Sequence, residues 1–312
     1  MRVVFAGSAE FSVPVLRALA ASDHQVTQVL TAPDRAGSRG AAAPRPVKEE
    51  ARRLGLPVEQ PSRLTWDFWR ESPAKLEPEA LVVAAYGQLV PLDVLRSLAH
   101  GGLGVHPSLL PRHRGASPVA AAILAGDYRT GVTVFRMGER MDAGPILAQQ
   151  ALPVPAGATT AQFTVRLAQL GAQLAVQVLD RLEGEGVEEI PQLESGATYA
   201  HRLGRQAGRL EWELGSDEID RHLRALLPWP GVTVPLGGVR VKLLRGAPED
   251  LSSEAIAATP GELLEQGHDW LLVGTGDAAF RVELIQPPGG PAMSPGAFLR
   301  GRQRVGRGGD RA

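Results

Sequence analysis

Residues 104–118 read GVHPSLLPRHRGASP, and the fold turns on how this stretch is parsed. Gly104 and Val105 close an apolar run that begins at Gly102 and stops at His106. Pro107, Pro111 and Pro118 then interrupt any regular ladder or helix interior. Leu109 and Leu110 place two apolar side chains in what is otherwise a loop. From Ser117 to Ala125 the pattern turns helical. A short buried strand, a proline-punctuated loop and a helix form one half of a βαβ unit. Ligands of open parallel sheets bind outside the carboxyl ends of the strands, and His106 stands at such an end.

The same alternation extends to both sides. Arg2–Ala6 (RVVFA), Gln25–Thr31 (QVTQVLT), Leu81–Ala85 (LVVAA) and Gly131–Arg136 (GVTVFR) read as further strands. Helices are expected from Ser12 to about Ala21, over Val47–Leu54 and over Pro91–Ala99, with a long one over Thr159–Leu182. Strands alternating with helices imply an α/β fold with a doubly wound, mostly parallel sheet and right-handed crossovers. After about residue 205 a helix (Ser216–Leu227) meets PWPG, and short runs punctuated by Gly and Pro follow, as in a small OB-like β-barrel. The chain is therefore read as a front domain over residues 1–189, a linker over 190–204 and a β-rich domain over 205–312. The last seventeen residues hold five arginines against one aspartate and are expected to fray.

Composition excludes several classes. Net charge is −1, so no global field draws a polyanion, and any such partner must meet a local patch. Only Lys48, Lys75 and Lys242 are lysines, so positive charge is almost wholly arginine. There is no cysteine, which removes disulfides, thiolate nucleophiles and thiolate metal sites. MRVVFAGSAEF meets Glu10 too soon for a signal peptide, and no stretch approaches the roughly 18 apolar residues of a membrane span. A cytoplasmic protein is expected. FAGSAEF carries one glycine where a dinucleotide fingerprint needs three, and there is no GxxxxGK[ST] or GxSxG. His100, His106 and His113 lack metal-ligand spacing, so no metal is expected.

Four strand ends carry distinctive loops: FAGSAEF, YGQLVP (86–91), HPSLLPRHRG and MGERMDAG (137–144). If all four strands run the same way, these loops converge on one edge and bring His106 to Asp142. A histidine exchanges protons near neutral pH. A carboxylate on one ring nitrogen fixes the tautomer and leaves the other nitrogen for substrate. Taken singly, His106 reads equally well as a turn histidine, and Asp142-Ala-Gly144 as an ordinary turn.

Together these loops resemble the folate-dependent formyltransferases, and most of all the branch that acts on methionyl-tRNA. The motifs are FAGSAEFSVPVLRAL, APDRAGSRG with PRPVKEEA, VVAAYGQLVP, VHPSLLPRHRGASP, TGVTVFRMGERMDAG, TYAHRL and RALLPWPG. The resemblance implies formyl transfer from 10-formyltetrahydrofolate, as co-substrate, to the α-amino group of initiator methionyl-tRNA, by a monomer. It makes His106 the catalytic imidazole and Asp142 its orienting carboxylate. It assigns Ser108, Leu109, Leu110 and Pro111 to folate contact, backbone at Gln88 and Val90 to the pterin, and Arg39 to tRNA. A plain solvated arginine is the other reading of Arg39. An amino-sugar-nucleotide N-formyltransferase, and a folate- or tRNA-binding protein without turnover, are the rival functions.

One position departs from the family. Its pattern is Asn-Val-His, with the amide serving the formyl oxygen, and this chain has Gly104-Val105-His106. Loss of one such donor costs about 10²–10³ in rate. A water in the vacated space, a weakly active protein, or another group in the amide's place would each account for it. Gly104→Asn is then expected to raise the rate by about one to three decades.

Overall fold

A computed structural model describes residues 1–36, 42–250 and 259–308. The chain divides into two compact units. The first comprises Met1–Ala122, Tyr128–Pro155 and Gln162–His201; the second comprises Ile123–Asp127, Ala156–Ala161 and the residues from Arg202 onward.

The first unit is built on seven strands: β1 (Arg2–Gly7), β2 (Gln25–Leu30), β3 (Val58–Glu59), β4 (Ala80–Ala84), β5 (Gly102–His106), β6 (Arg129–Arg136) and β7 (Ile146–Pro153). Their order across the sheet is β7-β6-β5-β4-β1-β2-β3. The pairs β3-β2, β2-β1, β1-β4 and β4-β5 are parallel, as the alternation of strand and helix requires. The order reverses between β1 and β4, which sets the switch-point crevice there. Ser8 ties that point together: its hydroxyl donates to the Tyr86 carbonyl at 2.9 Å and accepts from the Ala32 N–H at 3.0 Å. Helix α1 (Ser12–Ala20) opens beside it, and the Ser12 hydroxyl donates to the Ala84 carbonyl.

The last two strands correct one expectation. β6 pairs antiparallel with β5, Leu103 against Arg136 and His106 against Thr133, and β7 pairs antiparallel with β6. The carboxyl end of β6 therefore lies at the opposite sheet edge from His106. The four loops do not leave from one edge. The run ILAQQALP does not read as a strand because its polar pair Gln149–Gln150 breaks the alternation; it is the edge strand of the sheet, bridged on its outer side at Ile146 by Ile190. The short β3 and the helix Trp66–Glu71 were likewise unmarked. Helix α3 (Thr160–Glu183) matches its expectation and buries Phe163, Leu167, Leu170, Leu174 and Val178 at helical spacing. A Cβ on its Gly171 would meet the Val105 and Val132 side chains at 2.9 and 3.3 Å, so α3 covers that face of the sheet. Gly104, His106, Thr133 and Phe135 point to the other face, by the period-two alternation of strands.

One buried ion cluster locks α1 to helix α2 (Pro46–Arg53). Glu50, 6% exposed at its side chain, accepts two bonds of 2.8 Å from Arg17 and one of 2.5 Å from Arg53. The Arg17 and then the Arg53 guanidinium hold its carboxyl down to about 2. A carboxyl lowered on folding stabilises above its unfolded value, and that contribution fades as pH falls toward the folded one. Both arginines are more than half exposed. Solvent screening therefore limits the contribution to about 1–2 kcal/mol. Urea unfolding should show Glu50→Gln less stable than the native chain at pH 7, with the gap narrowing below pH 4.5 and closing near 2. A gap unchanged with pH would refute the assignment.

The second unit holds helix α4 (Ser216–Leu226) and five antiparallel strands: β8 (Val232–Leu236), β9 (Val239–Glu249), β10 (Leu263–Gln266), β11 (Leu271–Gly274) and β12 (Ala279–Gln286). Their order is β8-β9-β12-β11-β10, with register shifts along β9 that bend the sheet. Val232, Val234, Val241, Leu243, Phe280, Val282 and Ile285 form the buried face. The tail expected to fray is helical from Pro295 to Gly308, and its start is anchored by Phe298, 9% exposed.

Candidate active site

The site is built on the end of β5. His106 is 6% exposed, and its Nε2 lies 2.9 Å from the His113 carbonyl, so Nε2–H donates there. The loop can return this way because His113 sits at φ 57°, in the left-handed region. Nδ1 faces Asp142 Oδ2 at 3.7 Å. That is longer than a hydrogen bond, but within reach of a charge. The ring is flanked by two acceptors. With its proton on Nε2, the neutral ring turns the Nδ1 lone pair toward the carboxylate. The expected arrangement, with one nitrogen bonded to aspartate and the other free, is thus altered. The nitrogen without a hydrogen bond is the one beside Asp142.

Asp142 reaches His106 although β6 ends at the far edge. Residues 137–144 fold back across the sheet face that carries Gly104 and His106. Asp142 adopts φ 52°, and its Oδ2 accepts from the Gly115 N–H at 2.8 Å. One conformation thus makes the turn and also brings the Asp142 carboxylate near His106. Gln192 Nε2 clamps the returning loop, donating to the Asp142 carbonyl at 2.9 Å and to the Gly144 carbonyl at 2.7 Å. Gln192 Oε1 in turn accepts from Arg114, whose guanidinium is 1% exposed and also reaches Glu194. Arg114 and then Arg140 hold the Glu194 carboxyl below the usual range.

Sequence reading missed Gln192, Arg114 and Glu194. Gln192 and Glu194 fall in the segment read as linker, which packs on the first unit through the Thr198 and Ala200 carbonyls as well. Nothing in EIPQLE marks a clamp in advance. Gln192→Ala should lower kcat by about tenfold, with a small loss of thermal midpoint, because a displaced loop costs catalysis more than folding. An unchanged kcat would leave Gln192 a packing residue.

The SLLP loop is held from beneath. Thr133 Oγ1 donates to the Ser108 carbonyl at 2.7 Å and accepts from the Leu110 N–H at 3.1 Å. Gln149 Nε2 donates to the Leu110 carbonyl and to Thr133 Oγ1, both at 2.9 Å. The Ser108 hydroxyl donates to the Arg112 carbonyl at 2.6 Å and is fully buried; Leu110 is 3% exposed. These two side chains shape the loop from inside. Leu109 and Pro111 are half-buried.

Gln88 spends its side chain on the 61–64 loop, accepting from the Leu64 N–H and donating to the Pro61 carbonyl, each at 2.9 Å. The backbone groups of Gln88 and Val90 have no partner among the described residues. Nearby in sequence, the Tyr86 hydroxyl is buried without a partner, and burial pushes it up to about 12, so it stays a donor at neutral pH. Unpaired donors and acceptors beside a switch point suit a flat, polar-edged ligand such as a pterin. Arg39 lies outside the described residues. No group of three or more metal-ligating side chains occurs among the described residues.

Gly104 is the departure that the structure explains. A Cβ there would lie 2.3 and 2.4 Å from two atoms of the Phe135 ring. Phe135 faces Gly104 across the β5-β6 ladder and is 4% exposed. The space next to the Gly104 Cα is filled by an aromatic ring. A side chain at residue 104 would have to displace the Phe135 ring, so the gain expected from Gly104→Asn depends on that ring shifting.

Residues 1–179 match the formyl transferase family, and residues 202–303 match the formyl transferase C-terminal domain. Among curated proteins, the chain is 41% identical over 304 residues to the methionyl-tRNA formyltransferase of Gluconobacter oxydans, covering 97% of each chain. It is 38% identical over 306 residues to that of Moorella thermoacetica, covering 98% of this chain and 97% of the other. Among solved structures, an N-formyltransferase from Helicobacter canadensis, in complex with folinic acid and dTDP-3-aminofucose, superposes with a TM-score of 0.66 at 15% identity, covering 90% of this chain and 98% of the other. HypX from Aquifex aeolicus in complex with tetrahydrofolic acid gives 0.62 at 19%, covering 96% of this chain and 47% of the other. At these identities the two structures support the fold alone.

Proposed function

Because the chain belongs to the formyl transferase family through both of its domains, we propose that it formylates the α-amino group of methionyl-tRNA, with 10-formyltetrahydrofolate as donor. One observation carries this reading: end-to-end similarity, at about 40% identity, to proteins named for that activity. The sugar-acting neighbour shares the fold at 15% identity, which does not favour the amino-sugar reading.

When bound, the folate supplies the formyl group. The unpaired backbone at Gln88 and Val90 and the half-buried Leu109 and Pro111 would hold it. His106 would take the proton that the attacking amine must lose and return it to the N10 nitrogen as its bond to the formyl carbon breaks, with Asp142 stabilising the imidazolium in between. Protonation gives Nδ1 an N–H directed at the carboxylate, while Nε2–H keeps its carbonyl. Gly104 offers no side chain to the formyl oxygen. No helix among the described residues is long and apolar enough to cross a membrane. For tRNA contact, Arg39 is the residue we would change first.

The test is formyl transfer with two acceptors, methionyl-tRNA and a nucleotide-linked amino sugar. Product on the tRNA alone is expected. Product on the sugar alone would overturn the reading, and folate binding without product in single-turnover mixtures would replace it with a binding role.

A further inference from the structure

The loop that brings Asp142 to His106 has to cross the sheet face from the wrong edge. Something must set the height at which it crosses. Phe135 is placed to do so. Its ring projects from β6 over Gly104 of β5, where a Cβ would come within 2.3 Å. Its Cδ2 also lies 3.8 Å from where a Gly144 Cβ would stand, so the ring runs beside the last glycine of the loop. Gly144 itself is pressed on the backbone: a Cβ would sit 1.8 Å from the Arg136 carbonyl oxygen. The ring therefore lies over Gly104 and alongside Gly144, and Phe135 is 4% exposed.

We propose that Phe135 is the positioning residue of this site: its ring takes the side-chain space of residue 104 and supports the 137–144 loop, so that Asp142 comes to rest beside His106. Gly104 and Phe135 then form one unit. A side chain at 104 requires a smaller residue at 135, and a smaller residue at 135 leaves the loop unsupported unless 104 refills the space. This inference rests on the proposed formyl transfer only for its kinetic arm.

The experiment is a double-mutant cycle with Gly104→Asn, Phe135→Ala and the pair, read by thermal midpoint and by kcat and KM for each substrate. Gly104→Asn alone should lower the midpoint and cut kcat by about a hundredfold, through overpacking and a displaced loop. In the Phe135→Ala background the same change should cost at least about tenfold less, since contacting residues couple. Phe135→Ala alone should reduce kcat with little change in KM for the folate, which distinguishes positioning of Asp142 from damage to the binding crevice. Phe135→Leu, which refills part of the volume, should recover most of kcat and serves if the alanine variant fails to fold. Independent losses at the two positions, or a Gly104→Asn protein as stable and active as the native chain, would overturn the proposal. A native chain without turnover on methionyl-tRNA would defeat the functional reading instead. The thermal cycle needs no substrate and decides the packing claim by itself.

Discussion

Replacing His106 with alanine should lower kcat by about two to four decades while changing folate affinity by less than about threefold, as loss of a positioned acid–base group does. The imidazole is poorly placed to grip a ligand as large as a folate: its side chain is 8% exposed, one nitrogen is spent on the His113 carbonyl, and the other looks toward Asp142. What it offers is a proton-accepting atom against a carboxylate. The same substitution removes the donor that His106 gives the His113 carbonyl, which costs about 1–3 kcal/mol of stability. The comparison must therefore be made well below the variant's melting temperature, with folate affinity from fluorescence titration and kcat from saturating steady-state rates. Parallel losses of affinity and turnover would make His106 part of the binding surface and return the search for a base to the beginning.

The residues that carry this prediction were legible in the sequence to unequal degrees. His106 was visible because a buried strand stops at it, and because that strand leads into prolines that forbid anything but a loop. The parallel strands were visible for the same reason: RVVFA, LVVAA and their neighbours are apolar on both faces, which only a covered sheet tolerates. The direction of β6 was not visible. GVTVFR reads the same in either orientation, since the period of a strand has no polarity, and only the edge strand Ile146–Pro153 behind it reveals the hairpin. The clamp was hidden for a different reason. Gln192 and Arg114 lie far apart in the chain, and each alone is an ordinary polar residue. Their roles come from burial and from a hydrogen-bond geometry that no local pattern encodes. Gly104 was conspicuous, but an absent side chain says nothing about which neighbour grows into its place.

The carboxylate allows a sharper dissection than the imidazole. Asp142 has two observable duties: Oδ2 accepts the Gly115 N–H at 2.8 Å, and the same oxygen stands 3.7 Å from His106 Nδ1. Asparagine can keep the first duty, since its carbonyl oxygen is also an acceptor, but it abolishes the charge. A unit charge pair at this separation, in a partly exposed site of intermediate dielectric, is worth about 2–4 kcal/mol, or about two to three decades of rate when the imidazolium forms. Asp142→Asn should therefore lose about that much kcat while keeping a thermal midpoint near the native one. Asp142→Ala should lose at least as much kcat and also melt earlier, because the Gly115 N–H is left without its acceptor. Melting curves and saturating rates on the three proteins separate the two duties. If the asparagine variant turns over within about tenfold of the native chain, the charge is not used in the reaction. Asp142 would then be what the bare turn reading makes it: a residue that suits the left-handed region at φ 52° and ties one loop to the next.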